Sequence, residues 1–228
     1  MSTDIAHLAL RLVGPMQSWG CESQYSRRNT GRFPTKSALA GLLCAALGVP
    51  RGSERERNVL EAVRRTKLLV VAIPRLAAGS GNELPYRRLL DYHTVQGSVT
   101  AEVKGKVKET HLTYRQYLND AAFGIVLSAE YGFLAELGRA LDDPKWGLWL
   151  GRKACIPAEP VLAGLFDSEQ AALDKLLNGR RLRSFAHQRD VELFEDGADT
   201  LPDLPVSFDS NARVFAPRRV QVFEPGAE

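Results

Sequence analysis

Residues 5–20 read IAHLALRLVGPMQSWG, and the fold turns on its first nine. Leu8, Leu10 and Leu12 recur at period two, the spacing that lines one face of a half-buried strand. Gly14 and Pro15 end that strand in a turn. Residues 35–48, TKSALAGLLCAALG, then change period: Leu39, Leu42, Leu43, Ala46 and Leu47 form a helical stripe. Thr35 or Ser37 can cap its start, and Gly48 and Pro50 stop it.

Outward from there the alternation continues. Ser53 and Glu56 have the spacing of a capping box and open a second helix through Val59, Leu60 and Val63; KLLVVAIP (67–74) reads as a buried strand. From Gly79 to about Thr110, glycines, alternation and charge predict a hairpin extension. YRQYLNDAAFGIVLSA (114–129) then reads as a strand with its apolar core at Phe123–Leu127, followed by a helix with Phe133, Leu134, Leu137 and Leu141 on one stripe. Residues 146–164 read as turn-rich and extended, SEQAALDKLL (168–177) as a short helix, 192–205 as an acidic stretch and RVFAPRRVQVF (213–223) as a closing strand. This order predicts an α+β layer fold of ferredoxin-like type with a hairpin insertion and a C-terminal β extension.

The 228 residues are 44% hydrophobic and 25% charged, the composition of an ordinary globular protein. No apolar run approaches the ~18 residues of a membrane span, and no signal peptide is expected at the N-terminus, so the chain is expected in the cytoplasm with no membrane partner. Cys21, Cys44 and Cys155 are far apart, and His7, His93, His111 and His187 form no ligand pair. Neither a disulfide framework nor a metal site has support, and no cofactor is expected. Charge is uneven: residues 190–228 carry −6, so residues 1–189 carry +9 within a total of +3. Arginine doublets at 27–28, 64–65, 87–88, 180–181 and 218–219 suit either a polyanionic partner or solvated helix faces.

Candidate sites follow from these elements. A helix N-terminus favours an anion, so Thr35, Lys36 and Ser37, with Arg27, Arg28 and Arg32 close in sequence, are candidates for a phosphodiester. The segment lacks Walker spacing, which argues against a nucleoside triphosphate. Lys104, Lys106 and Lys108 share one strand side and suit either phosphate contact or protection of an edge strand. Aromatic residues beside cations, among them Trp19, Tyr25, Phe33, Tyr86, Tyr92, Tyr114 and Tyr117, suit single-stranded nucleic acid. Tyr92 and His93, or His111 with Lys108 and Tyr114, could in principle support metal-independent RNA cleavage; structural roles are the simpler reading. In the glycine-flanked loop, Gln17 and Ser18 offer hydrogen bonds to a ligand, while Trp19 reads as the anchor of the turn against the first helix.

GPMQSWG, TGRFPTKSALAGLLCAALG (30–48), LLDYHTVQG (89–97), ETHLTYRQYLNDAAF (109–123) and LGRKAC (150–155), in this order, resemble the Cas-five (CasD) family of CRISPR-associated proteins, in its type I-E Cascade branch. The resemblance implies a RAMP protein: a modified RRM, ferredoxin-like domain over residues 1–150 with a β-hairpin thumb at about 80–113, and a β-rich extension over 151–228. It implies a non-catalytic subunit that grips the 5′ handle of the crRNA. Such a subunit caps the row of backbone RAMP subunits beside the large PAM-recognising subunit, and meets target DNA through the assembled complex. Carried onto this chain, the handle surface takes in the loop at Gln17–Gly20, the helix start at Thr35–Ser37, Tyr92, His93, Arg115, Arg152 and Lys153. A related branch, type I-C, cleaves repeat RNA itself, which is the alternative activity.

Overall fold

The computed structural model describes residues 4–20, 26–99, 107–192, 199–209 and 213–226. The chain opens with β1 (Ile5–Val13), β2 (Met16–Gln17) and β3 (Arg27–Arg28), then α1 (Lys36–Leu47), α2 (Glu54–Arg65) and β4 (Lys67–Ala72). A small ribbon, β5 (Arg75–Leu76) and β6 (Glu83–Leu84), precedes the long strands β7 (Arg87–Val99) and β8 (Val107–Asn119). Next come β9 (Ala122–Glu130), α3 (Tyr131–Asp142), β10 (Leu162–Phe166) and α4 (Glu169–Leu177), and the chain closes with β11 (His187–Asp190), β12 (Asp199–Ser207) and β13 (Val214–Phe223).

The period-two reading of β1 holds: Leu8, Leu10 and Leu12 are fully buried, opposite Leu127, Ile125 and Phe123 of β9. Seven antiparallel strands form one sheet in the order β10-β1-β9-β4-β11-β13-β12. Its first face packs Leu8, Leu10, Leu12, Leu68, Val70 and Phe123 against helices α1 to α3. The second face sets Ala9, Leu69, Val71 and Val126 against Leu173, Leu176 and Leu177 of α4. After the exposed Lys67 at its start, strand β4 is apolar from Leu68 to Ala72 because both of its faces are covered there.

Caps fall where local chemistry puts them. Thr35 accepts from the Ala38 N–H, and Gly48 closes α1 at φ +64°, where a side chain would be strained. Ser53 accepts from the Glu56 N–H. The Glu56 carboxylate does not return to Ser53: Oε2 accepts from the Gly52 and Phe208 N–H groups, tying the turn before α2 to the end of β12.

Several short strands, among them β2, β3 and β11, lie outside the sequence expectation, and two longer elements differ from it in extent or type. The long hairpin arm β8 runs on to Asn119, and a left-handed turn at Asp120 (φ 54°) separates it from β9. Residues 114–119 therefore belong to the hairpin, not to the strand centred on Phe123. Residues 199–207, which overlap the acidic stretch, form an edge strand that among the described residues pairs only with β13. Its Pro202 and Pro205 are tolerated because an edge leaves one row of N–H groups outside the ladder.

Candidate nucleic-acid interface

The long hairpin is held at its base by a second small sheet, β2-β8-β3, with β7 on β8. Strand β3 lies parallel to β8, Arg27 against Tyr114 and Arg28 against Arg115, and the Tyr114 N–H donates to the Ser26 carbonyl. Tyr92 and Tyr114 face each other across β7 and β8 with ring centroids 5.4 Å apart, both exposed. The Arg27 guanidinium lies 5.5 Å from the Tyr114 ring. Flat rings and a guanidinium plane at one exposed spot are the elements on which unpaired bases stack.

Arg152 organises this base. Its guanidinium sits 4.7 Å over the Tyr117 ring and donates to the Gln116 carbonyl at 3.1 Å and the Arg28 carbonyl at 2.9 Å. Arg152 thus ties three segments together, and Lys153 beside it is exposed. Arg88 adds a bond to the Thr30 carbonyl at 3.1 Å, and Arg115 donates to the Thr113 hydroxyl at 3.1 Å. His93 lies 3.7 Å from Asp91, both partly exposed.

The arginine doublets now separate by environment. Arg64 and Arg65 pair with Glu61, Arg180 pairs with Glu83, and Arg218 is buried between Asp190 and Asp203. The doublets Arg27-Arg28 and Arg87-Arg88 lie exposed at the hairpin base. Arg32 is only half available, since Glu224 pairs with it and raises its pKa further.

Gln17 is fully buried and is no ligand contact. Its Nε2 donates to the Leu12 and Ala121 carbonyls at 2.9 and 2.7 Å, and its Oε1 accepts from Trp19 Nε1 at 3.1 Å. The loop's polar side chain serves the core because the Leu12 carbonyl near the end of β1 and the Ala121 carbonyl just before β9 need donors there. Trp19 itself is buried in the main cluster with the α1 side chains. Ser18 is buried too, bonded to the Gln116 carbonyl, and its N–H donates to Leu150. Gly151 makes this stitch possible: at φ +97°, a Cβ there would lie 1.8 Å from the Ser18 carbonyl oxygen.

The anion expected at the start of α1 is present, but it belongs to the protein. Asp203 of β12 accepts from the Lys36 N–H at 2.9 Å and receives two bonds from Arg218, at 2.8 and 2.6 Å. Lys36 is 2% exposed, and its ammonium donates to Asp190 at 3.0 Å and to the Thr66 and Arg64 carbonyls. Burial lowers the Lys36 pKa against the opposing pull of Asp190. The expectation that Lys36 meets a phosphate is therefore corrected: its donors are spent inside. Thr35 is committed to its cap, and Ser37 lies within hydrogen-bond reach of Thr35. Both also line a cleft beside α1, discussed below.

Tyr25, Lys104 and Lys106 lie outside the described residues, and for Lys108 only the backbone pairing with Ser98 is described. Among the described residues no cluster of three or more His, Cys, Asp or Glu could hold a metal, and no helix is long and apolar enough to cross a membrane. Cys44 is buried and its thiol is pushed up to about 12, first by burial and second by Glu56. The folded state therefore holds a proton that the unfolded thiol releases near 9.0. Stability is expected to fall as pH rises from about 9 toward 12, and Cys44→Ala to flatten that decline in denaturant melts. Equal slopes for both proteins would refute this.

Residues 7–221 match the family model for CRISPR-associated protein (Cas_Cas5). A stretch of 163 residues is 36% identical to the CRISPR system Cascade subunit CasD of Escherichia coli (strain K12), covering 70% of each chain. Two solved structures share the fold at TM-scores of 0.71 and 0.66. One is a chain of a CRISPR RNA-guided surveillance complex (29% identical, 95% of this chain and 88% of that one). The other is described as a Cas protein (28% identical, 95% and 93%).

Proposed function

The chain belongs to the CRISPR-associated Cas5 family, in its type I-E CasD branch, and from that premise we propose that it is a non-catalytic subunit that grips the 5′ handle of the crRNA. It caps the backbone subunits of a Cascade complex beside the large PAM-recognising subunit, in the cytoplasm, and meets target DNA only through that assembly. The observation that carries this is the exposed Tyr92–Tyr114 pair at the hairpin base, with Arg27 over the Tyr114 ring and Arg152 joining β3 to the LGRKAC loop. The hairpin is the thumb. The core is ferredoxin-like, supported by the strand order β10-β1-β9-β4 with helices between β1 and β4 and between β9 and β10.

Phosphate contacts make affinity fall with salt, by a slope of about 0.7 per contact for single strands. An Arg27→Ala, Arg28→Ala double variant is expected to reduce the slope for handle-bearing RNA by about 1.4. Filter binding over a salt series measures it, and an unchanged slope would remove these arginines from the interface.

His93 near Asp91 and beside Tyr92 favours the one competing reading, metal-independent cleavage of repeat RNA. Incubation of repeat RNA with the protein in EDTA separates the two. A discrete product that disappears in His93→Ala and His111→Ala would establish the nuclease and overturn the non-catalytic assignment.

A further inference from the structure

A cleft of about 690 Å³ lies between α1 and the segment Trp146–Trp149. Ala38, Gly41 and Ala45 give it a shallow helical floor. Trp146 and Trp149 stand 48% and 39% exposed, unusual for the largest apolar side chains, and Phe208 and Phe215 add a second ring pair with centroids 6.2 Å apart. Arg51, Lys153 and Arg213 bring exposed positive charge to the same lining. Glu56 is the lone acid among the described lining residues, and it is buried, bonded to the Gly52 and Phe208 N–H groups.

The walls are held in place before any ligand arrives. The Lys145 and Trp146 N–H groups donate to the Ala46 and Ala45 carbonyls at the end of α1. Gly147 lets the Trp149 indole close in: a Cβ there would lie 2.8 Å from Cζ2 of the ring. Glu56 fixes the backbone of Phe208 from behind. Ser18, Gly20 and Gly151 also line the cleft, and Lys153 follows Arg152, whose guanidinium holds the Arg28 carbonyl. The cleft is thus continuous with the hairpin base.

We propose that this cleft is a nucleobase pocket, seating one unstacked base of single-stranded RNA against Trp146 and Trp149 while Arg51, Lys153 and Arg213 meet its flanking phosphates. A nucleotide supplies both requirements at once, a flat face for the indoles and a negative charge for the cations. An apolar peptide would offer no charge complementary to the three cations of the lining. Recognition is by stacking, so the pocket tolerates a change of base better than loss of the base. This rests on the RNA-binding reading above and adds the place where one base leaves the strand.

The test uses the full chain, alone and assembled with its neighbouring subunits, with handle-bearing crRNA in which single adenines are replaced in turn by 2-aminopurine. Stacking quenches this probe. The expected result is strong quenching at one handle position, lost in Trp146→Ala/Trp149→Ala together with roughly 10- to 100-fold in affinity. The salt slope is unchanged, and Trp146→Phe/Trp149→Phe, which keeps the rings, retains the quenching. Salt-dependent binding without quenching at any position would overturn the pocket and leave the RNA reading standing. Absence of salt-dependent binding in both forms would overturn both. If the double alanine variant keeps quenching and affinity but loses its neighbouring subunits on purification, the cleft docks protein and the inference fails.

Discussion

Replacing Asp203 with alanine is expected to cost about 3–5 kcal/mol of folding stability, read as a lower denaturant midpoint at an unchanged m-value. Asp203 closes a buried network of two cations and two carboxylates: Arg218 spans Asp203 and Asp190, and Lys36 reaches Asp190 with its ammonium and Asp203 with its backbone N–H. Removing this one carboxylate leaves a buried guanidinium half-paired and takes the anion from the positive end of α1. Asp203→Asn keeps an acceptor but not the charge, and should fall between wild type and alanine. A loss below about 1 kcal/mol for the alanine variant would mean that the network contributes no more than a surface pair. The consequence extends to function, because Asp203 pins β12, and β12 leads to Phe208 in the lining of the cleft.

The second large effect is expected at Gly151. A Cβ there meets the Ser18 carbonyl oxygen at 1.8 Å, and the backbone stands at φ +97°. Gly151→Ala therefore carries about 1–3 kcal/mol of backbone strain and an overpacking cost of similar size. The obstacle is main chain and cannot swing aside, so the loop must shift, and Arg152 shifts with it. Handle-RNA affinity should fall along with thermal stability, whereas Gly20→Ala, with open space around its Cβ position, should leave stability nearly unchanged. A Gly151→Ala protein with wild-type melting and wild-type RNA affinity would show that the junction between the GPMQSWG loop and the LGRKAC loop is not needed.

Local chemistry was read well from the sequence where the controlling contacts are themselves local. The period-two face of β1, the Thr35 and Ser53 N-caps and the stop at Gly48 depend on residues within a few positions and stand as read. The returning half of the Ser53–Glu56 box is lost because the distant Phe208 N–H shares the Glu56 carboxylate with Gly52. The charge at the start of α1 was also legible, since a helix N-terminus attracts an anion wherever it lies. Which anion arrives was not legible: Asp203 is 167 residues from Lys36 and reaches it because β12, the edge strand beside β13, packs against α1 and α2. Gln17 shows the same limit. Its amide looks available in the loop, yet the Ala121 carbonyl that takes it lies 104 residues away. Trp146 and Trp149 are not legible as a site in the sequence because WGLW in a turn-rich stretch has no periodicity to mark it. Only their placement beside the small residues of α1 turns them into a wall.

The sequence by itself determined the layered α+β class, the hairpin and the family, through periods, caps and ordered motifs that need no distant partner. The tertiary structure alone decided which cations face solvent. Desolvation and long-range pairing spend Lys36 and Arg218 inside the protein, while strand pairing at the hairpin base brings Arg27 over Tyr114, one of an exposed pair of tyrosine rings.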